Sequence, residues 1–281
     1  MKALFDSTSF KISKLITNAY STSFSIGTML LQANIRSHIY TIYGFVRYAD
    51  EIVDSFHDYD KGYLIKKFRN DTYEAIEHKI SLNPILNSFQ ATVNTFGIER
   101  SIIDSFLDSM EMDLKKSDHD LLSYKKYIYG SAEVVGLMCL RVFTEGNNAM
   151  YEHLKKPALA LGAAFQKVNF LRDLRHDSMN LGRTYFPEIQ DQRFDNYTKN
   201  LIEKDIRKDF EEALAGIKQL PRSSRLGVYV AYVYYMNLFK KIEQYTPEQV
   251  MQQRIRIPDT QKVYLLAQSY FQHSFNLSWS K

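Results

Sequence analysis

Tyr43-Gly-Phe-Val-Arg47-Tyr-Ala-Asp50-Glu51-Ile-Val-Asp54 and, further on, Gln166-Lys-Val-Asn169-Phe-Leu-Arg172-Asp173-Leu-Arg-His-Asp177 each place two aspartates four residues apart in apolar surroundings. On a helix, residues i and i+4 face the same way, one turn apart. Each stretch therefore offers two carboxylates to one point in space, with an arginine a turn or less upstream. Such a pair can hold a hard cation against a polyanion such as a diphosphate.

Spacing alone does not single these pairs out. Asp-x-x-x-Asp also occurs at Asp54/Asp58, Asp104/Asp108, Asp191/Asp195 and Asp205/Asp209. Asp104/Asp108 and Asp205/Asp209 sit opposite apolar stripes, as on ordinary surface helices. Asp191 and Asp195 follow Pro187 in a polar loop, and Asp58 lies past the expected helix end. The first two stretches differ. Ile39–Phe56 is apolar except along the line Tyr43, Arg47, Asp50, Asp54. Ala158–Leu171 is nearly unbroken in hydrophobicity, and its polar exceptions Gln166 and Asn169 align with Asp173 and Asp177. A helix apolar all round is buried, and buried carboxylates need partners or metals. Four converging ones would repel by roughly 2–3 kcal/mol per pair at ~6–8 Å and an effective dielectric near 20. Bound cations would remove that repulsion.

The 281 residues, 45% hydrophobic and 14% aromatic, are enough to bury a substantial core in one globular domain. Helix-period patterns dominate and alternating strand patterns are scarce. Helices are expected near Ser7–Asn18, Ala33–Phe56, Lys61–His78, Asn83–Thr95, Glu99–Lys115, Leu121–Glu145, Asn147–Asp177, Asn196–Gln219, Arg222–Gln244 and Pro258–Asn276. Pro157 is expected to break or kink the seventh. No repeat and no Pro/Gly/Ser-rich linker divides the chain, so the expectation is all-α, with residues 1–281 as a single domain.

Charge excludes some functions. A net +4 without a long Lys/Arg block, and without a helix-turn-helix or aromatic RNA-binding signature, argues against nucleic acid. The apolar run Leu226–Phe239 is too short to span a bilayer and carries four tyrosines. The one cysteine, Cys139, fits a small buried thiol. The chain opens without a charged-then-apolar leader, so the expected setting is cytoplasmic, with peripheral contact at a membrane surface left open. Two segments interrupt the helical pattern. Tyr20-Ser21-Thr22-Ser23-Phe24-Ser25 offers hydroxyls for a helix cap or for phosphate oxygens. Leu181-Gly-Arg-Thr-Tyr-Phe-Pro187 is a loop with a proline stop.

Taken in order, these pieces resemble the squalene/phytoene synthase family, which joins two prenyl diphosphates head to head. Tyr43–Asp54 is similar to its first aspartate-rich motif, with Glu51 where a third aspartate is common. Gln166–Asp177 is similar to the second, and Gly182–Pro187 to the segment after it. Tyr20–Phe24 resembles the amino-terminal serine motif, and Tyr127–Gly136 the tyrosine-plus-small-residue segment. Tyr235 and Arg254-Ile-Arg256 resemble carboxy-terminal features.

The resemblance implies a helical bundle of the isoprenoid synthase type around a central apolar cavity. Asp50 and Asp54 would bind Mg²⁺, or Mn²⁺ in its place, holding one substrate diphosphate. Asp173 and Asp177 would do the same with support from Asn169. Arg47 and Arg172 would neutralise the leaving group, and Ser21, Ser23, Tyr43 and Gln166 would contact substrate. Tyr127 would act near the diphosphate, and Phe24, Tyr43, Tyr127 and Leu161–Phe165 would line the cavity. The chain departs from the family at Ala132-Glu133, where a small Ala-Gly pair is usual; solvent, Arg47 and Arg172 are all open destinations for Glu133.

The wording Ser131-Ala-Glu-Val-Val-Gly-Leu-Met-Cys-Leu140 favours phytoene from two geranylgeranyl diphosphates, with no NADPH, over squalene or dehydrosqualene from two farnesyl diphosphates. No two glycines stand one residue apart, so no dinucleotide fingerprint is present. Other classes stay open. His57-Asp58, His119-Asp120 and His176-Asp177 prompt an HD-type metal phosphohydrolase, and the scaffold also suits a non-catalytic helical assembly protein. No obligate protein partner is evident.

Overall fold

Residues 1–114, 120–180, 185–190 and 194–258 are described by the computed structural model. Among them the regular structure is helical, with no strand. The chain runs through α1 (Lys2–Tyr20), α2 (Thr22–Met29), α3 (Ala33–Asp54), α4 (Lys61–His78), α5 (Pro84–Phe96) and α6 (Arg100–Asp113). Then come α7 (Leu121–Ile128), a π-helical turn (Tyr129–Glu133), α8 (Val134–Phe143) and the long α9 (Asn148–Asn180). α10 (Pro187–Gln190), α11 (Asn196–Ile217), α12 (Arg222–Glu243) and α13 (Pro247–Gln252) complete it.

Local chemistry sets the boundaries. Asp60 caps α4, its Oδ1 accepting from the Tyr63 N–H at 2.9 Å. Gly97, at φ 64°, ends α5 in the left-handed conformation that suits glycine. Ser21 separates α1 from α2: it is extended, and its Oγ accepts from the Phe24 N–H at 3.2 Å. The hydroxyl run expected as a break is thus a cap followed by a helix.

Two expectations need correction. Pro157 does not break α9, which runs 33 residues through it. Its ring occupies the space over Gly216 of α11, so packing against a residue without a side chain offsets the lost hydrogen bond. The stretch Leu121–Glu145 is not one helix, because the π turn inserts into it. π turns widen a helix locally and often mark functional sites. The expected Pro258–Asn276 helix, beyond Pro258 itself, lies outside the described residues, as do Leu181–Thr184 of the loop motif.

Two helices organise the rest. α3 packs on α1, α4, α5, α6 and α8; α9 packs on α8, α11, α12, α13 and the π turn. They make little direct contact with each other. The α3 side is sealed by an aromatic stack, Phe45 on Phe89 with centroids 3.8 Å apart, flanked by Phe68 and Phe106. Around the gap the helices approach at backbone distance. A Cβ on Gly162 of α9 would lie 2.6 Å from the Ala132 carbonyl, and one on Gly227 of α12 2.6 Å from the Gly27 carbonyl of α2. Alanine in place of glycine inside a helix ordinarily stabilises. Gly162→Ala should do the opposite, costing about 1–3 kcal/mol as an overpacked contact, read as a lowered midpoint in thermal unfolding.

Candidate active site

The polar line of α3 ends in an acidic pole. Asp50 is one-third exposed and Asp54 exposed. Arg47 Nη1 lies 4.0 Å from Asp50 Oδ2, but its close ion pair is with Glu51, and the Tyr20 ring covers its guanidinium at 4.5 Å. The arginine is therefore shared. Burial, then the charge of Asp54, pushes the Asp50 carboxyl up to about 7 against the pull of Arg47; Asp113 adds to the push.

Asp113 was not picked out from the sequence. It is the last residue of α6, and its Oδ2 accepts a hydrogen bond from the Tyr127 hydroxyl at 2.8 Å. Tyr127 corrects an expectation: it does not line the cavity but is buried, 3% exposed, against Tyr185 and Phe170 with its hydroxyl on Asp113. Burial and then the Asp113 charge hold its phenol well above the usual value. The signal available in the sequence was Met110-Glu-Met-Asp113, an acidic residue closing an apolar-striped helix.

The pole on α9 is differently neutralised. Arg172 Nη2 donates to Asp173 Oδ2 at 2.5 Å, and Arg254 Nε lies 2.6 Å from Asp173 Oδ1. Burial alone would raise the Asp173 carboxyl; the two guanidinium groups outweigh it and hold it below the usual carboxylate value. Asn169 Oδ1 accepts from the Tyr235 hydroxyl at 3.4 Å, and Asp177 is half-buried one turn beyond Asp173.

Two tyrosines connect the poles. Tyr43 shares a hydrogen bond with Ser21 and lies near Asp50 and Tyr235, while Tyr235 lies near Arg172 and Asp173. Tyr43 stacks on Phe24 at 4.8 Å and Tyr235 on Phe165 at 3.9 Å. Beyond Phe24 and Phe165 opens a cavity of about 250 Å³, lined by α2, α3, the π turn, α8, α9, α11 and α12. Its walls are overwhelmingly apolar; Gln166, Thr28 and Ser131 are among the few polar residues. Cys139 also faces it, its thiol pushed up to about 12 by burial. Ser21, Tyr43, Arg47, Gln166, Asn169 and Arg172 thus belong to one region. Ser23 is half-buried on α2.

Other expectations resolve differently. Glu133 is half-buried, and its charged neighbours are Lys167 and Asp209 rather than Arg47 or Arg172. Burial pushes it up to about 7 while Lys167 opposes and Asp209 adds. Lys167, 8% exposed, is paired with Asp205 and, at 2.7 Å, with Asp209. Asp205 stays exposed, as a surface helix predicts, while Asp209 is half-buried, and both serve Lys167 as counter-charges. His57 Nδ1 lies 3.0 Å from Lys61 Nζ on the surface; His119 and the side chain of His176 lie outside the described residues. Among the described residues no three of His, Cys, Asp and Glu converge on one ion. A cation here would complete its shell from water and substrate. The carboxylate oxygens of Asp50 and Asp54 are donors of the kind that suit a hard divalent ion. At Asp173 both oxygens are already engaged by arginine.

A match to the squalene/phytoene synthase family model runs over residues 17–261. The chain is 28% identical to chloroplastic phytoene synthase 1 of Solanum lycopersicum over 244 residues, 80% of this chain and 58% of that one. With chloroplastic phytoene synthase 1 of Arabidopsis thaliana it shares 30% over 250 residues, 80% and 57% of the two chains. It thus spans less than two thirds of these relatives' length. A dehydrosqualene synthase crystal structure superposes with TM-score 0.80 at 19% identity, covering 98% of each chain. Squalene synthase HpnC from Alicyclobacillus acidocaldarius gives 0.73 at 18%, covering 84% of this chain and 94% of that one. The chain belongs to the squalene/phytoene synthase family, and its fold is that of the isoprenoid synthases. Among the described residues no helix is long and apolar enough to cross a membrane.

The Asp50 shift has a measurable consequence. A carboxyl raised in the fold binds more protons there than in the unfolded chain, so stability falls as pH rises from the unfolded value through about 7. Asp50→Asn removes that penalty. In metal-free buffer the variant should melt a few degrees higher than the parent near pH 8 and alike near pH 4. Equal midpoints near pH 8 would show that Asp50 carries no such strain.

Proposed function

We propose that this chain, as one catalytic domain over residues 1–281, condenses two prenyl diphosphates head to head. The favoured substrate is geranylgeranyl diphosphate, giving phytoene through a cyclopropyl (prephytoene) diphosphate. The observation that carries the reading is the pair of polar poles, Asp50/Asp54 and Asp173/Asp177, on helices kept apart by an apolar cavity.

Mg²⁺, or Mn²⁺ in its place, would be held by Asp50 and Asp54 at one pole and by Asp173 and Asp177 with Asn169 at the other. Such ions stabilise charge on a departing diphosphate. Arg47, Arg172 and Arg254 supply forked donors suited to phosphate oxygens. Ser21 and Ser23, beside the start of α2, and Gln166 at the cavity wall are the further substrate contacts. Ionisation leaves an allylic cation that water would trap as an alcohol. An apolar cavity withholds that water, and stacked faces such as Phe165 on Tyr235 stabilise passing positive charge by about 0.5–2 kcal/mol each. Tyr127, buried on Asp113, would act by holding that carboxylate beside the Asp50 pole.

The named phytoene synthases among the sequence relatives support the C20 choice. No reductant is needed for that product. The setting we propose is cytoplasmic, with the hydrocarbon passed to a membrane at its surface. Squalene or dehydrosqualene formation from farnesyl diphosphate is the competing reading, because the superposed structures carry those names.

Purified protein given each diphosphate with Mg²⁺, with and without NADPH, should make C40 hydrocarbon from the C20 substrate in both conditions. C30 product alone would overturn the substrate choice. Asp50→Asn and Asp173→Asn should each lower turnover by about 10²–10³-fold, the scale of losing one electrostatic stabiliser of the leaving group. Full activity in either would remove that pole from the chemistry.

A further inference from the structure

The Asp173 pole, as it stands, does not fit a bound cation, and the cause lies in the chain that follows α13. Residues 253–258 are extended. Ile255 and Ile257 are buried at 3% and 4%, while Arg254 and Arg256 are exposed between and beside them. That alternation is the two-residue period of extended backbone. Two plugs of isoleucine fix the segment, and Arg254, just before the first of them, is delivered to the opposite side, onto α9. Further ties hold it: Arg175 donates to the Gln252 carbonyl, and Lys241 Nζ to the Arg256 carbonyl at 2.8 Å. Arg254 thereby reaches Asp173 Oδ1 at 2.6 Å while Arg172 takes Oδ2 at 2.5 Å.

We propose that Arg254 is an anion-operated latch on Asp173. Both carboxylate oxygens are occupied by guanidinium groups. A divalent cation gains Asp173 when a diphosphate draws Arg254 away. At the Asp50 pole Arg47 stands 4.0 Å from Asp50 and makes its close pair with Glu51, a looser hold than Arg254 has on Asp173. Loading is therefore ordered: the Asp50 pole takes a cation by itself, and the Asp173 pole takes one together with its diphosphate. Arg254 suits the task energetically. Its side chain is half exposed, and exposed ion pairs are worth about 1 kcal/mol or less. A diphosphate offers the guanidinium a forked, more highly charged partner. Arg254 is a positioning residue in this account, acting through Asp173.

The inference rests on the diphosphate reading above, and one titration separates the two. Metal-free protein is titrated with Mn²⁺ and followed by electron paramagnetic resonance, with and without inorganic pyrophosphate. The parent should bind a first class of Mn²⁺ without pyrophosphate, lost in Asp50→Asn. A second class should appear with pyrophosphate and be lost in Asp173→Asn. Arg254→Ala should bind the second class without pyrophosphate, at least about fivefold tighter than the parent under the same condition. Adding Asp173→Asn to that variant should abolish the gain. Arg254→Lys, which keeps the charge, should retain the pyrophosphate requirement.

An unchanged pyrophosphate requirement in Arg254→Ala would overturn the latch. So would Asp173-dependent binding in the parent that ignores pyrophosphate. If neither aspartate variant alters Mn²⁺ binding with pyrophosphate present, the diphosphate reading itself fails. Far-ultraviolet circular dichroism melts establish that each variant is folded, as expected for a half-exposed side chain.

Discussion

Like charge placed beside a dry cavity is the constraint on which this structure turns. On one side Asp54 and Asp113 raise the cost of ionising Asp50. Bringing α9 with Asp173 and Asp177 directly against α3 would add to it. The fold keeps the two helices apart by packing everything around them closely instead. Gly162 against Ala132, Gly136 against Ala158 and Gly227 against Gly27 bring neighbouring backbones together at the walls. The space saved at those contacts is left in the middle as the cavity. A protein optimised for stability alone would fill that space and neutralise Asp50. The retained gap and the retained charge are both costs, which is what a site, rather than a core, looks like.

The two poles solve their electrostatics in opposite ways. At Asp173 the chain supplies its own cations, Arg172 and Arg254. At Asp50 it withholds them, directing Arg47 to Glu51 and aligning Asp54 and Asp113 instead. Glu51 matters in this respect. Standing where the family often has a third aspartate, it reaches one methylene further and engages Arg47, which a shorter carboxylate at that turn would meet less readily. The motifs look equivalent in sequence, yet their protonation and their readiness for metal differ.

What the sequence made legible follows from range. Helix period and the scarcity of Pro and Gly are local signals, so α3, α4, α5 and α11 fall close to expectation. Burial context is nearly local, and it separated Asp50/Asp54 and Asp173/Asp177 from the surface pair Asp104/Asp108. Elsewhere the deciding partner was distant in the chain. Pro157 continues α9 because Gly216, on another helix, makes room for its ring. Asp113 becomes part of the site through Tyr127, across a segment that carries no periodic signal. The surroundings of Glu133 and Asp209 have one source: Lys167, inside a hydrophobic run, pairs with Asp209 and stands near Glu133. A buried lysine in such a run signals that acidic residues must come to it.

The extended segment 253–258 shows how little movement substrate recognition would require. Its isoleucines are core residues, with Ile255 and Ile257 as buried as those of α3. Displacing the backbone would expose them, at roughly 1.5–3 kcal/mol each. Rotating the Arg254 side chain exposes nothing apolar and exchanges one anion for another. Side-chain rotation at an exposed position is fast, on the order of picoseconds to nanoseconds. The segment is therefore better regarded as a fixed strap bearing one mobile charge than as a lid. That distinction bears on the chemistry, because a strap that stays down keeps the Arg254 backbone beside Asp173 while the side chain changes partners. Anchoring by apolar residues and switching by a single guanidinium separate two demands, placement and anion sensing, that a moving lid would have to meet at once.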